Sequence, residues 1–385
     1  MMSRLVPSAI RVVFCLLWSL SHTSAIGDEP NVHVVIISDT SPAAQWGRHA
    51  VHLTMDTTLM FSTVMQHLPD DRLRVYPLSL EADDWSTPDN VLKQIADVSL
   101  QPQDTLVVYF TGHGAADDQG HYLQLAKGKL HRSDLRQAMQ QRGARLNVLL
   151  TDCCNVRGDG QGYFAPNIGG DSPKSPTPLF ESLFLKSSGW VDINSSSPGQ
   201  GAFFRNIPEG EPIGFEPDQM PGSLFTIALT DFFRKRRELP LSWDDLVREC
   251  SIDVHLLFQK NYPQGAAPAK GQPIQSVQNV YAFEYPGKPQ NSGPRTGLLV
   301  RDFRQSGALI TNVQPESPAA HAFDVSGKRY TSLQPGQLIV EANGTPIRSA
   351  ADLMAAVRES PPLLRLRVAD EDQRQNAEYL MQLRY

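Results

Sequence analysis

Two apolar, β-branched runs, Thr105-Leu-Val-Val-Tyr-Phe and Leu146-Asn-Val-Leu-Leu-Thr, each end on a chemically capable turn. The first leads into Gly112-His113-Gly114, the second into Asp152-Cys153-Cys154-Asn155. Continuous runs of this kind read as strands buried on both faces, the signature of a parallel sheet covered by helices. An imidazole and a thiol are therefore expected at the carboxyl ends of two strands, the edge at which open α/β sheets carry ligands and chemistry.

The residue types suit nucleophilic catalysis. A thiol is only a few per cent ionised near pH 7 but is intrinsically nucleophilic. A nearby imidazole can take its proton and later protonate a leaving amine. A glycine directly after the histidine, Gly114, lets backbone approach a substrate carbonyl and offers an N–H to a developing oxyanion. The alternative for each motif is structural, since His-Gly often marks a turn and Cys is among the most buried residue types.

The rest of the first 286 residues alternates strand and helix patterns. Val32 to Ile37 reads as a first strand and His49 to Leu68 as a helix whose Met/Leu/Val stripe faces the core. Arg74 to Leu78 reads as a short strand, and Thr87-Pro88 opens the next helix. Ser133 is expected to cap a helix over Asp134 to Gln141, with Gly143 ending it. The predicted fold class is α/β, a mostly parallel sheet with helices on both faces. Gly158–Pro178 and Arg205–Met220 are rich in Gly, Pro and Asp with little periodicity, as functional loops or surface insertions are.

Tyr109-Phe-Thr-Gly-His113-Gly114 resembles the Tyr-Ser-Gly-His-Gly segment of metacaspases and other caspase-like cysteine peptidases, clan CD, family C14. Asp152-Cys153-Cys154 resembles their Asp-Ser-Cys or Asp-Cys-Cys, while Asn155-Val156-Arg157 stand where the family has His-Ser-Gly. The resemblance implies that His113 is the base and Cys154 the nucleophile, with Gly114 at the oxyanion. Val191 to Ala202 resembles a cleft wall, which makes Ser196 a substrate-binding residue. Gly222-Ser-Leu-Phe225-Thr226 and Ser242-Trp243-Asp-Asp resemble two later helix starts. Asp152 falls where the family lines its primary pocket, and Asp56 resembles a second acidic wall. Carboxylates there suit a guanidinium or ammonium, so cleavage after Arg or Lys is expected. Calcium activation is a family trait that this sequence does not settle.

Arg4 and Arg11, the apolar Val12 to Leu20 and the small-residue end Thr23-Ser24-Ala25 make residues 1–25 a secretory signal peptide. Export and a chain without a membrane span after cleavage are the expectation. Cys153, Cys154 and Cys250 then remain, too few for a disulfide framework; Cys250 lies on an amphipathic helix pattern and reads as core. No His/Cys cluster has zinc-like spacing, so neither a metal nor another cofactor is expected. With 35 Lys and Arg against 41 Asp and Glu and no basic stripe, nucleic acid is not an expected partner.

After the linker 287–293, residues 294–385 contain Gly297-Leu-Leu-Val, Gly307 to Val313, Leu333-Gln-Pro-Gly336 and Asn343-Gly344. This resembles a PDZ domain of the type found on exported bacterial proteases. Such domains add an extended peptide as a strand and hold its terminal carboxylate with backbone N–H groups. By position Thr296, Gly297 and Leu298 form that loop, and the Pro/Gly-rich linker predicts a loose join. The combined expectation is an exported endopeptidase, residues 31–286, that acts on peptides or proteins with a docking or regulatory PDZ module. A catalytically silent caspase-like binding or scaffold protein is the alternative.

Overall fold

The computed structural model describes residues 29–38, 50–79, 87–155, 172–207, 220–268, 272–288, 295–304, 306–315, 317–370 and 376–383. The signal peptide, most of both irregular loops and most of the linker lie outside the described residues.

The strands and helices of the main sheet that lead to the thiol are β1 (Val32–Ser38), α1 (Ala50–His67), β2 (Leu73–Ser79), α2 (Pro88–Asp97), β3 (Thr105–Thr111), α3 (Arg132–Gln141) and β7 (Leu146–Asp152). After them come β8 (Gly189–Asn194), α4 (Leu224–Arg236), α5 (Trp243–Asn261) and β9 (Tyr281–Glu284). The strands form a six-stranded sheet in the order β2-β1-β3-β7-β8-β9, parallel except for β9. Alternate side chains explain the two covered faces. Val34, Val107 and Val148 pack with Met60 of α1, Phe225 of α4 and Val254 of α5. Val35, Val108 and Leu149 pack with Ile95 of α2 and Leu135 of α3. The predicted doubly covered α/β sheet is the observed architecture. Cys250 is core, as expected. No helix among the described residues is long and apolar enough to cross a membrane.

Between β3 and α3 the chain builds a second, antiparallel sheet that strand-and-helix alternation does not announce: β4 (Gly114–Asp117), β5 (Gly120–Leu125) and β6 (Gly128–His131). The start of α3 also differs from expectation. Ser133 is not its cap; the helix begins at Arg132, and His131 precedes it with no capping side chain. The reason is the buried Arg132 guanidinium, which pairs with Asp192 of β8 and donates to Thr151 of β7. Arg136 binds the other oxygen of Asp192 and also Glu284. Removing one partner of a buried pair strands a charge at a cost of about 3–5 kcal/mol. Asp192→Ala is accordingly expected to lower unfolding stability by about that amount, read by chemical denaturation; a loss under about 1 kcal/mol would show the cluster to be solvated.

The second domain is built on β10 (Leu298–Asp302), β11 (Ala308–Val313), β12 (Ala322–Asp324), β13 (Arg329–Thr331), β14 (Leu338–Ala342), β15 (Thr345–Pro346), α6 (Ala350–Arg358), β16 (Leu363–Ala369) and β17 (Asn376–Gln382). The strand order is β10-β11-β14-β16-β17-β12-β13, with β10 at one end. The join is not loose. Ile252 and Leu256 of α5 pack on Phe323, Leu363 and Leu380, and the Arg248 guanidinium lies 5.5 Å from the Tyr330 ring centre. One face of α5 serves the first sheet and another serves the second domain. Linker composition reports only the connecting chain and carries no information about such a face.

Candidate active site

The ladder between β3 and β7 positions the site. Thr111 stands opposite Asp152, and the Gly112 N–H donates to the Asp152 carbonyl at 3.2 Å. His113 and Cys154 thus each lie two residues past the paired ends of adjacent strands. Both are half-buried. From His113 the chain turns into β4, and the His113 carbonyl accepts from Gln124 N–H at 2.9 Å.

That bond fixes the direction of the Gly114 N–H. In an antiparallel ladder hydrogen-bonded and non-bonded pairs alternate. With His113 bonded opposite Gln124, Gly114 opposite Leu123 is a non-bonded pair, and its N–H turns away from β5 toward the open side of β4. A Cβ at Gly114 would lie 2.6 Å from Cys153 Sγ and 2.7 Å from the Cys154 carbonyl oxygen. Only glycine allows the histidine-bearing and cysteine-bearing segments to come this close.

The two thiols have different surroundings. Cys153 is buried in the core, its Sγ 3.6 Å from His121 Nε2 and 3.6 Å from Asn194 Oδ1. Cys154 is the more open one. Its Sγ accepts the Ala202 N–H at 3.3 Å and lies 3.6 Å from the Ala202 carbonyl oxygen. Burial pushes the Cys154 thiol up to about 11, against the Ala202 hydrogen bond, which favours the thiolate. Cys153 is raised further by its burial.

The chain matches no protein-family model, and no curated protein matches it. Among solved structures, a caspase-1 from Spodoptera frugiperda aligns with a TM-score of 0.39 and 12% identity, over 66% of this chain and 86% of that one. The HtrA3 PDZ domain bound to a phage-derived ligand (FGRWV) aligns with a TM-score of 0.19 and 23% identity, over 23% of this chain and 84% of that one.

Asp152 and Asp56 are brought together at the N-terminus of α4. Ser223 caps that helix, accepting from Thr226 N–H at 3.0 Å. Its own N–H donates to Asp56 Oδ1 at 2.8 Å, and its hydroxyl donates to Asp152 Oδ2. Thr226 donates to the same Asp152 oxygen at 2.6 Å, and Thr111 to Asp56 Oδ2 at 3.0 Å. Asp152 Oδ1 is buried with no hydrogen-bond partner. Burial, and for Asp56 also the neighbouring Asp152 charge, pushes both carboxyls above their ordinary range. The positive end of the α4 dipole and four donors offset only part of that cost.

Ser196 is placed differently from the expectation. It is fully buried, and its hydroxyl donates to the Cys153 carbonyl at 3.0 Å. The bond ties the segment after β8 to the peptide that joins Cys153 to Cys154. Sequence reasoning also missed His121, on β5. Its Nε2 lies 3.1 Å from the Cys154 carbonyl oxygen and must carry the proton to bond there. Nδ1 is then the bare nitrogen, buried without a partner. Burial, then the Arg132 charge, lowers His121 to about 4, so the ring is neutral at physiological pH. Nothing but the Gly120-His-Tyr-Leu alternation marks this residue in the sequence.

On the second domain, β10 and α6 enclose a cleft of about 540 Å³ lined by Arg295, Thr296, Gly297, Leu298, Leu353 and Val357, among others. All three residues of the expected carboxylate loop are there. Gly297 has φ +71°, and a Cβ on it would lie 2.1 Å from Ser317 Cβ. The Leu298 N–H is already taken, at 3.1 Å, by the Thr296 hydroxyl.

Proposed function

We propose that this chain is an exported cysteine endopeptidase that cleaves after Arg or Lys and docks peptides on its second domain. The observation that carries the reading is the β3–β7 register, which brings His113 and Cys154 to one sheet edge beside the outward-facing Gly114 N–H. Export is supported by the sequence of residues 1–25 alone.

The high-lying Cys154 thiol implies that its proton leaves during attack and not before. Cys154 Sγ adds to the scissile carbonyl while His113 takes the thiol proton. The new alkoxide is received by the Gly114 N–H. The tetrahedral species expels the amine, which takes the proton from His113, leaving a thioester. Water adds with His113 again as base, and collapse of that adduct returns the Cys154 thiol and a free carboxylate. The basic side chain preceding the cut supplies the donor that Asp152 Oδ1 lacks.

One observation favours a catalytically silent binding protein instead: the resting thiol is held neutral and is engaged by Ala202. A peptidyl electrophile ending in Arg decides between them. Stoichiometric labelling of Cys154 supports the peptidase, and no labelling under any condition supports the silent protein.

For the second domain, the open edge of β10 and the apolar cleft suit an added peptide strand with an apolar C-terminal residue. Thr296 competes with the ligand carboxylate for the Leu298 N–H. One such hydrogen bond is worth about 0.5–1.5 kcal/mol net. Thr296→Val is expected to tighten binding of a labelled peptide with a free C-terminal Val by about 2- to 10-fold in fluorescence anisotropy. The amidated peptide should gain nothing; equal tightening of both would remove the carboxylate from the account.

A further inference from the structure

Between α5 and β9 the chain folds back on itself, and Gln275 pairs with Ala266 through two backbone bonds, at 2.8 and 2.9 Å. That pairing presents two glutamine side chains to the loop that follows β8. Gln275 Oε1 accepts the Gly201 N–H, and Gln275 Nε2 donates to the Gly201 carbonyl at 3.4 Å. Gln278 Oε1 accepts the Phe203 N–H at 3.0 Å, and Gln278 Nε2 donates to the Ser195 carbonyl at 2.8 Å. A backbone N–H only donates and a carbonyl only accepts, so each side-chain amide fits one way round. Gln278 is fully buried, so water does not compete for its bonds.

The two glutamines take the place of a neighbouring strand. Consecutive residues of an extended chain turn their N–H groups to opposite sides. Gly201 and Phe203 are both held by glutamine side chains. Ala202 between them therefore faces the other way, and its N–H donates to Cys154 Sγ at 3.3 Å. Gln278 is also anchored beside the thiol at its second bond. Ser195, whose carbonyl it holds, accepts the Cys153 N–H on its hydroxyl at 3.0 Å. One side chain thus spans from the segment that carries the thiol to the segment that carries its donor.

A hydrogen bond to sulfur favours the thiolate over the thiol. The Ala202 bond is the main influence that opposes burial at Cys154.

We infer that Gln275 and Gln278 are positioning residues that hold the Ala202 N–H on the Cys154 sulfur and so stabilise its thiolate. The inference rests on the peptidase reading for the use made of that thiol. Each glutamine acts through the Ala202 peptide. The titratable groups on the elements around the sulfur are Asp152 and Cys153 at the end of β7, His113 past β3 and His121 on β5. None of them is altered by substituting either glutamine.

The test reads alkylation of Cys154 by iodoacetamide as a function of pH. In Gln278→Leu the Ala202 bond is weakened and the thiol ionises at higher pH. A rise of about one unit leaves about tenfold less thiolate, partly offset by the greater nucleophilicity of a more basic sulfur. Alkylation at neutral pH is therefore expected to be about 3- to 10-fold slower than in wild type, with the whole profile displaced to higher pH by about one unit. Gln275→Ala, at a half-buried position, is expected to shift the profile the same way by less, which keeps the test available if Gln278→Leu misfolds. A purely structural role predicts the opposite sign, because a loosened wall exposes the sulfur and speeds alkylation. Faster alkylation, or profiles in folded variants that coincide with wild type, would overturn the inference. The readout needs no turnover. A wild-type protein that cleaves no Arg peptide overturns the peptidase reading, while the alkylation profiles still decide whether the glutamines set the thiol.

Discussion

Cys154→Ala should abolish hydrolysis of an Arg-terminated fluorogenic peptide, by at least about a thousandfold in kcat, because no other group can form the covalent intermediate. Cys153→Ala should stay within about tenfold of wild type. The difference follows from placement. Cys153 is packed beneath Gly114 against His121 and Asn194, while Cys154 is the thiol of the pair that is half open. In the Cys153 variant a small cavity replaces the sulfur, and a stability loss of about 1 kcal/mol is the main cost. Alkylation of Cys154 in the resting protein should climb through neutral pH without a plateau, because burial keeps the thiol protonated up to about 11. Activity lost with Cys153 and retained without Cys154 would overturn the assignment.

Asp152→Asn should remove the preference for basic residues and, at the same time, leave the unliganded protein as stable or more stable. Both effects come from one fact: two carboxyls share a fully buried site at the α4 N-terminus, and Ser223 bonds to each. The folded-state values lie above the unfolded ones, so the unfolded chain sheds these protons first. The pair therefore costs stability as pH rises from the ordinary carboxylate range toward the raised folded values, and full stability is present only below it. The neutral amide removes the repulsion and the desolvated charge. A guanidinium relieves the same penalty by pairing with the ionised form. Benzamidine is accordingly expected to raise the thermal midpoint more at pH 8 than at pH 5, and to lose this effect in Asp152→Asn. For Arg peptides, the variant's kcat/KM should drop by roughly 10- to 100-fold, the loss of one charge-assisted hydrogen bond of about 1.5–3 kcal/mol. Efficient turnover of an Asp-terminated peptide by wild type would overturn the basic-residue preference.

The elements that were legible in the sequence are those written locally. Thr105 to Phe110 and Leu146 to Thr151 are predominantly apolar runs, and such runs form buried strands wherever they sit in a covered sheet. Ser242 precedes an acidic first turn and caps α5, and the helix start that the resemblance places at Gly222-Ser223 is the start of α4, capped by Ser223. The order of these strands then carries His113 and Cys154 to one edge without further information. Gly297 was placed by the resemblance alone; its left-handed backbone conformation is a finding of the structure.

What only the tertiary structure decided depends on partners far apart in the chain. His121 meets Cys154 across 33 positions, and Ser223 meets Asp152 across 71. Neither contact leaves a periodicity or a spacing to read. Ser196 illustrates the limit: its motif marks the neighbourhood of the cleft, but whether its hydroxyl faces substrate or the Cys153 carbonyl is set by how β8 lies against β7. The packing of α5 on the second domain is of the same kind, since Ile252 and Leu256 read as ordinary helix residues until Phe323, Leu363 and Leu380 cover them. The sequence by itself determined which groups could do chemistry and at which strand ends they stand, because strand formation and strand ends are short-range properties. The fold decided which of those groups are presented and which are spent holding others in place, because hydrogen bonds and burial are settled between segments that the chain does not join directly.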